Sequence, residues 1–349
     1  MQISIFVSHV VGTWLAWGIH AAWGLSDNSE MFILLSGFTL GSVFSLKLAK
    51  LTVWGAQQDL LVRAWRLYRT HLTVFFIFAA MVIIADLVFK VPGSVDRFGW
   101  TYLVDEPLAA LAALATTLYQ PDFMGTLPVF VFGMLLLGPF LLLSRRIGAW
   151  ALLLSFAVYL LVNLDWVATP GLGGSLIAFD PLAWQFLYLI SGLLGWRALH
   201  GIPLPRAPWM VWLAALFVVL GFAARLVENG FVDGPAYAFS ALEHKEVLAP
   251  TRLIHALSLA YLVAALVPRH ADWMESLLGR AMATIGRHSL RVFCVGLFFA
   301  WIVSRIMEAH PAEAGALGVV LVLPCIATLW TVALFSERNR PRVTALGKS

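Results

Sequence analysis

Apolar stretches about as long as a membrane span recur along the whole chain, separated by short polar segments. A helix needs roughly 20 apolar residues to cross the hydrocarbon core of a bilayer. Inside lipid, a helix also satisfies its own backbone hydrogen bonds. The pattern therefore predicts an all-α, polytopic transmembrane helical bundle of about ten spans, in a single domain over residues 1–349. The predicted spans are 2–19, 30–48, 70–90, 126–144, 149–164, 182–199, 208–226, 250–267, 288–307 and 315–335.

The loops between these spans alternate in charge. Basic residues collect in four loops and in the C-terminal tail, and acidic residues collect in the loops between them. The basic loops are 47–69, 145–148, 197–206 and 268–287. Because basic loops stay on the cytoplasmic side of a membrane, we expect these loops and both termini in the cytoplasm. The apolar segment 107–119 would break this alternation as a span, so we predict a re-entrant or interfacial helix on the outer side.

Composition agrees with a membrane protein and limits its partners. Of the 349 residues, 61% are hydrophobic and 12% are charged, and the mean hydropathy is +0.86. A soluble domain carries about 25% charged residues. The net charge is +4, and its basic groups lie mostly in short loops. We therefore predict the lipid bilayer as a partner and no nucleic acid.

A row of three arginines precedes the third predicted span: Arg63, Arg66 and Arg69. His71 follows this row, at the start of the span. Steps of three residues keep these side chains near one face of a helix. One interpretation is a topology signal with headgroup anchors. The other is a phosphate-binding site, because a guanidinium group donates two parallel hydrogen bonds to neighbouring oxygens.

Ionisable residues near or within the first two spans suggest chemistry. His9 lies in the middle of the first predicted span, where it is either a hydrogen-bonded interhelical group or a general base for a sugar hydroxyl. Asp27 and Glu30 open the second span. They fit an ordinary helix cap, and they also fit groups that orient His9 or bind an acceptor hydroxyl.

Further polar groups lie at the predicted outer ends of later spans. Asp122 and Asp180 precede helices, where acidic caps are common, and Trp184 with Gln185 would suit a sugar or a membrane interface. We predict that all four line a substrate path.

Basic groups also occur on two later spans. Arg252 and His255 share one face of the eighth predicted span at spacing i, i+3, which favours a function in the same path. Arg287 opens the ninth span on the predicted cytoplasmic side, where we expect it to join the arginine row. Motifs for metal ligation, hydrolase nucleophiles and nucleotide-binding loops are absent from the sequence, so we predict no metal and no bound cofactor.

Seven short motifs occur in order over about residues 4–300, and as a set they resemble the OpgC family, within the wider acyltransferase-3 superfamily of membrane acyltransferases. The motifs are SHVVGTW at 8–14, DNSEMFILLSG at 27–37, WRLYRTHL at 65–72, YQP at 119–121 with LP at 127–128, PLAWQ at 181–185, RLIH at 252–255, and GRHSL at 286–290 with VFC at 292–294.

The resemblance implies a ten-span enzyme of the bacterial inner membrane. Such an enzyme moves an acyl group from cytoplasmic acyl-CoA to a glycan outside, and for OpgC this is succinylation of periplasmic glucans. His9 matches the superfamily's first-helix histidine, and the arginine row matches its R-x-x-R pair in two registers. The superfamily's basic partner of that histidine would lie before Met1, so we expect either a natural chain that begins earlier or a variant that lacks this partner. Arg252 is a candidate partner for a succinyl carboxylate.

Two other functions stay open at this point. One is an acyltransferase that uses acetyl-CoA or another glycan acceptor, and the other is a transporter of an anionic solute. The oligomeric state is not predicted by the sequence.

Overall fold

The computed structural model describes residues 1–10, 12–88, 93–175, 177–234, 243–268 and 270–339. These residues form α-helices joined by short 3₁₀ turns and loops, and none of them lies in a β-strand. The all-α prediction is confirmed for this part of the chain.

The described residues contain fourteen α-helices. They are α1 Gln2–Ser8, α2 Asn28–Lys50, α3 Val53–Leu87, α4 Ser94–Arg97, α5 Thr101–Asp105, α6 Pro107–Ala115, α7 Thr126–Ile147, α8 Ala151–Asn163, α9 Pro181–Leu199, α10 Pro208–Glu228, α11 Pro250–Leu266, α12 Leu277–Arg287, α13 Ser289–Glu308 and α14 Ala314–Arg338.

Six helical segments among the described residues are long and apolar enough to cross a membrane. They are Asn28–Lys50, Val53–Leu87, Thr126–Asn163, Pro208–Glu228, Ser289–Glu308 and Pro311–Arg338, and α11 is a shorter apolar helix. Several of them agree within a few residues with predicted spans. The total of about ten spans and the cytoplasmic termini stay predictions.

The first predicted span, 2–19, is wrong as one continuous helix. α1 ends at Ser8, and two 3₁₀ turns, Trp14–Gly18 and His20–Ala22, follow it. Between α1 and the first of these turns, Gly12 has a φ of +90°, a backbone conformation outside the helical region that glycine adopts without strain. The apolar pattern of this segment does not reveal such a break, because it reports burial rather than backbone direction.

The third span also begins earlier than predicted. Only residues 51 and 52 separate α2 from α3, and Lys47 of α2 forms an ion pair with Asp59 of α3. The two helices are therefore antiparallel neighbours at this end. α3 has 35 residues, which makes it about 52 Å long. The arginine row lies inside this helix and not in a loop.

Contacts between α3 and α7 show which part of α7 lies beside the arginine row. The Gln57 side chain of α3 lies against Gly138, and the Phe78 ring lies 5.4 Å from the Phe123 ring just before α7. α3 and α7 therefore run antiparallel. The arginines, between positions 57 and 78, lie alongside the first half of α7, a candidate span.

α2 and α9 pack backbone to backbone along a seam of four glycines, here called the α2–α9 seam. A Cβ at Gly41 would collide with the carbonyl group of Gly192, and a Cβ at Gly195 would collide with that of Phe38. A Cβ at Gly37 would lie 2.5 Å from the Tyr188 carbonyl oxygen. Small residues allow such an approach between membrane helices. Position 37 contacts Tyr188, and the Ser42 hydroxyl donates to the Gly195 carbonyl at 2.9 Å, so the contacts advance in the same direction on both helices. α2 and α9 are therefore parallel, and their N-termini lie at the same end.

The segment 107–119 contains α6, whose nine residues span about 14 Å. This length is too short to cross a bilayer, and a re-entrant or interfacial helix, which was predicted here, requires no more. The Tyr68 hydroxyl donates to the Ala115 carbonyl at 2.8 Å, so the end of α6 lies beside the middle of α3.

The chain divides into two compact units. Unit 1 contains Met1–Gly24 and the chain from Tyr261 onward, and unit 2 contains Leu25–Ala260. The predicted single domain stays a prediction.

Candidate active site

The N-terminal end of α2, in unit 2, carries a reciprocal helix cap. The Asp27 carboxylate accepts a hydrogen bond from the Ser29 backbone N–H at 2.6 Å, and the Glu30 carboxylate accepts one from the Asp27 backbone N–H at 2.8 Å. This capping box satisfies N–H groups that the first turn of a helix leaves unpaired. The cap predicted from the sequence is therefore present.

The same two carboxylates also bind Arg252 of α11. The Arg252 guanidinium donates from Nε to Glu30 Oε1 at 2.7 Å and from Nη2 to Asp27 Oδ2 at 3.0 Å. Glu30 is fully buried and Arg252 is 4% exposed. A buried charge is tolerated only when it is paired and hydrogen bonded, and this pairing meets both conditions.

Lys245 completes the charge cluster from the segment before α11. Its Nζ lies 2.7 Å from Asp27 Oδ2 and 5.2 Å from the centre of the Phe179 ring. Burial opposes ionisation of Asp27, but Lys245 and Arg252 outweigh burial and hold the pKa of this carboxyl well below its usual range. The cluster therefore contains two cations and two carboxylates.

A serine–histidine pair lies beside this cluster. The Ser26 hydroxyl lies 2.7 Å from His255 Nδ1, and the Ser26 backbone N–H donates to the same nitrogen at 3.3 Å. Ser26 is fully buried and His255 is 3% exposed. The ring packs on Gly221 of α10, where a Cβ would come within 2.5 Å of Cδ2. We call Ser26, Asp27, Glu30, Lys245, Arg252 and His255 the polar end.

The start of α9 supports the segment that carries Lys245. Asp180 caps α9 by accepting from the Leu182 N–H at 2.8 Å, and its backbone N–H donates to the Glu246 carbonyl. The Trp184 indole N–H lies 3.0 Å from the Lys245 carbonyl oxygen. Trp184 is fully buried, so it does not offer the open face to a sugar that was one of the two interpretations of the sequence.

Two other predicted path residues have different surroundings. Gln185 is buried, where its carboxamide accepts from the Ser155 hydroxyl at 2.5 Å and donates to the Ser155 carbonyl at 2.8 Å. Asp122 is exposed in the turn before α7, and its backbone N–H donates to the Phe98 carbonyl at 3.0 Å. Gln185 therefore joins α8 to α9, and Asp122 binds the end of α4 through its backbone.

The arginine row presents two exposed side chains and one that is paired. Arg66 and Arg69 are exposed on α3, whereas Arg63 Nε donates to Asp59 Oδ2 at 2.8 Å. His71 points into the bundle. It is 1% exposed, and neither ring nitrogen has a hydrogen-bond partner among the described residues.

His9 lies in unit 1, at the C-terminal cap of α1. Its Nδ1 lies 2.7 Å from the Ile5 carbonyl oxygen. A carbonyl can only accept, so Nδ1 carries a proton, and the lone pair of the neutral ring is on Nε2. The same contact occurs at His200 and His310, both exposed. What distinguishes His9 is a mostly apolar cleft formed with α13, with space for about one water molecule.

Arg287, which the sequence analysis assigned to the arginine row, is bound within unit 1. Its Nε lies 3.3 Å from Glu337 Oε2, and His288 Nε2 lies 2.6 Å from the same oxygen. Glu337 thus links the junction of α12 and α13 to the end of α14.

The structure brings together two pairs of residues that were predicted on separate spans, Asp27 with Glu30 and Arg252 with His255. Sequence analysis missed two members of the polar end, Ser26 as the partner of His255 and Lys245. A basic residue in an outer loop between acidic neighbours was the available signal for Lys245. Over the described ranges, no three His, Cys, Asp or Glu side chains group as metal ligands.

Comparison with known proteins gives one match. The family model described as OpgC protein matches residues 1–341. No curated protein and no solved structure matches the chain. The chain therefore belongs to the OpgC family, and this membership implies an acyltransferase-type function in glucan modification.

Proposed function

We propose that this protein is a membrane-embedded O-acyltransferase. It moves an acyl group, with succinyl as our first choice, from cytoplasmic acyl-CoA to hydroxyl groups of a periplasmic glucan across the bacterial inner membrane. The family match over residues 1–341 carries this proposal. Six helical segments suited to crossing a membrane support an enzyme with donor and acceptor on opposite sides.

The arginine row is the proposed donor site. The exposed guanidinium groups of Arg66 and Arg69 bind phosphate oxygens of CoA, and Arg63, held by Asp59, adds charge beside them. The row lies alongside the first half of α7, which the charge pattern assigns to the outer half of the bundle, so binding requires the CoA phosphates to enter the bundle from its cytoplasmic surface. An unpaired guanidinium at this level is costly. A polyanionic ligand removes this cost, which supports binding over simple anchoring. His71 of the same helix is proposed as a further polar group for the donor.

His9 is the proposed general base. Its Nδ1–H donates to the Ile5 carbonyl, so the lone pair on Nε2 takes the proton of the acceptor hydroxyl.

The polar end is proposed to shape the acceptor side. Asp27 and Glu30 bind Arg252 and Lys245, which holds the start of α2 against α11. We therefore propose a positioning role for both carboxylates. Because its Nε and Nη2 are directed at internal carboxylates, Arg252 is a poorer candidate for a succinyl carboxylate than the sequence suggested.

The test is transfer of label in membranes that contain the protein. Membranes are incubated with radiolabelled succinyl-CoA or acetyl-CoA and a periplasmic glucan extract, and label in the glucan is counted. We expect succinyl label that falls by about 10²-fold or more in His9→Ala, because a general base contributes about 10² to 10⁴ in rate.

The matched control is His310→Ala. His310 makes the same ring contact to the carbonyl four residues earlier, but it is exposed, so transfer should be unchanged. Acetyl label alone would retain the enzyme class and change the donor. Unchanged transfer in His9→Ala would disprove the role of His9, and no transfer from either donor would disprove the proposed function.

A further inference from the structure

The Ser26–His255 pair in unit 2 has the geometry of an activated nucleophile. We propose that Ser26 takes the acyl group from the donor as a covalent ester, with His255 as its base. This inference rests on the proposed acyl transfer, and it replaces a single direct transfer by two steps.

The hydrogen bonds fix the protonation of the pair. The Ser26 backbone N–H can only donate, so His255 Nδ1 carries a lone pair and the ring proton of the neutral form is on Nε2. The Ser26 hydroxyl, 2.7 Å away, therefore donates to Nδ1. A serine hydroxyl that donates to a histidine nitrogen is the arrangement that activates serine for acyl transfer.

The surroundings suit the charge that develops in such a step. Ser26 immediately precedes Asp27, the cap of a 23-residue helix, so the positive end of the α2 dipole lies beside its hydroxyl. Arg252 and Lys245 at the same end are paired with Asp27 and Glu30, so they add no net charge there. The backbone dipole stabilises the oxyanion that forms when a hydroxyl attacks a thioester.

Packing holds the base in this orientation. Gly221 leaves room for the His255 ring, because a Cβ there would come within 2.7 Å of Nε2.

Two half-reactions balance the chemistry. Ser26 Oγ attacks the carbonyl carbon of the acyl thioester, its proton moves to His255 Nδ1, and the C–S bond breaks to release the thiolate of CoA. His255 passes this proton to the departing thiolate and is neutral again. A glucan hydroxyl then attacks the serine ester and gives its proton to His255 Nδ1, and His255 returns that proton to Ser26 Oγ as the C–O bond breaks.

The experiment looks for the ester directly. The full-length protein in detergent is mixed with radiolabelled acyl-CoA without acceptor, quenched in acid and digested, and the peptide that contains Ser26 is analysed by mass spectrometry. We expect one acyl group on Ser26, and we expect it to move to glucan when acceptor is added before the quench.

Three variants sharpen the test. Ser26→Ala and His255→Gln should each reduce transfer by about 10²-fold or more. Ser26→Cys should form a thioester that neutral hydroxylamine removes, which separates loss of the nucleophile from loss of folding. The control is Ser191→Ala, because Ser191 is also fully buried but donates only to the Tyr188 carbonyl. It should retain transfer.

The outcomes separate this inference from the proposed function. Glucan transfer by the unchanged protein with no ester on Ser26, or transfer retained in Ser26→Ala, would overturn the inference alone. An ester on Ser26 without label in glucan would uphold the nucleophile and overturn the acceptor. Neither ester nor glucan label would overturn both.

Discussion

The middle of α2 and its N-terminal end are fixed by opposite means. In the middle, the α2–α9 seam brings backbone against backbone, and a Cβ at Gly41 would overlap the Gly192 carbonyl. At the end, charged side chains reach across to other helices, as Glu30 does to Arg252 at 2.6 Å. One helix therefore depends on the absence of side chains at one level and on paired charges at another.

The difference shows where each kind of substitution is costly. At the seam the size of a substituted side chain matters more than its polarity, because the constraint is the space between two backbones. The polar end tolerates a change of size better than the loss of one charge, because an unpaired buried charge keeps its desolvation cost. The comparison can therefore be tested with one substitution at each level.

The largest expected effect on stability is that of Arg252→Ala. Removing the guanidinium leaves Glu30 fully buried without its cation, which should cost about 3–5 kcal/mol in the free energy of unfolding. Thermal unfolding in detergent measures the loss. The double variant Arg252→Met with Glu30→Leu should be more stable than the single variant, because it removes both charges. A loss below about 1 kcal/mol in the single variant would contradict the role given to this pair.

A smaller loss is expected from Gly41→Ala. The added methyl group must displace the Gly192 backbone, and overpacking of this kind costs about 1–3 kcal/mol. The matched control is Gly286→Ala in α12, where no atom lies within 4 Å of the added Cβ. Alanine is the better helix former there, so stability should not fall. If both variants unfold at the same temperature, the backbone contact of the seam does not limit the packing of α2.

The sequence predicts the existence of most long helices but not their internal geometry. Hydropathy finds α2, α7 and α13 because long apolar runs have few alternatives in a membrane. It misses the break after α1, which depends on the backbone of Gly12. It also misses the early start of α3, because the first turns of this helix are polar, and Thr52 caps them by accepting from the Gly55 N–H.

The candidate site shows the same limit. Asp27 and Glu30 are recognisable as a cap because the capping box is local in sequence. Their pairing with Arg252 joins positions more than 220 residues apart, and spacing along the chain contains no information on it. Ser26 was not recognised as a candidate for the same reason, since its histidine partner comes from another helix.

The smallest expected effect is that of Lys245→Met, which distinguishes the edge of the polar end from its interior. The Lys245 side chain is 37% exposed, so solvent weakens its ion pair with Asp27, and such pairs contribute about 0–1 kcal/mol. Methionine keeps an apolar chain against Phe179, and Asp27 keeps Arg252 as a cation. Thermal unfolding should therefore shift far less than in Arg252→Ala. A loss equal to that of Arg252→Ala would mean that the balance of two cations and two carboxylates, rather than burial of one pair, stabilises this end of α2.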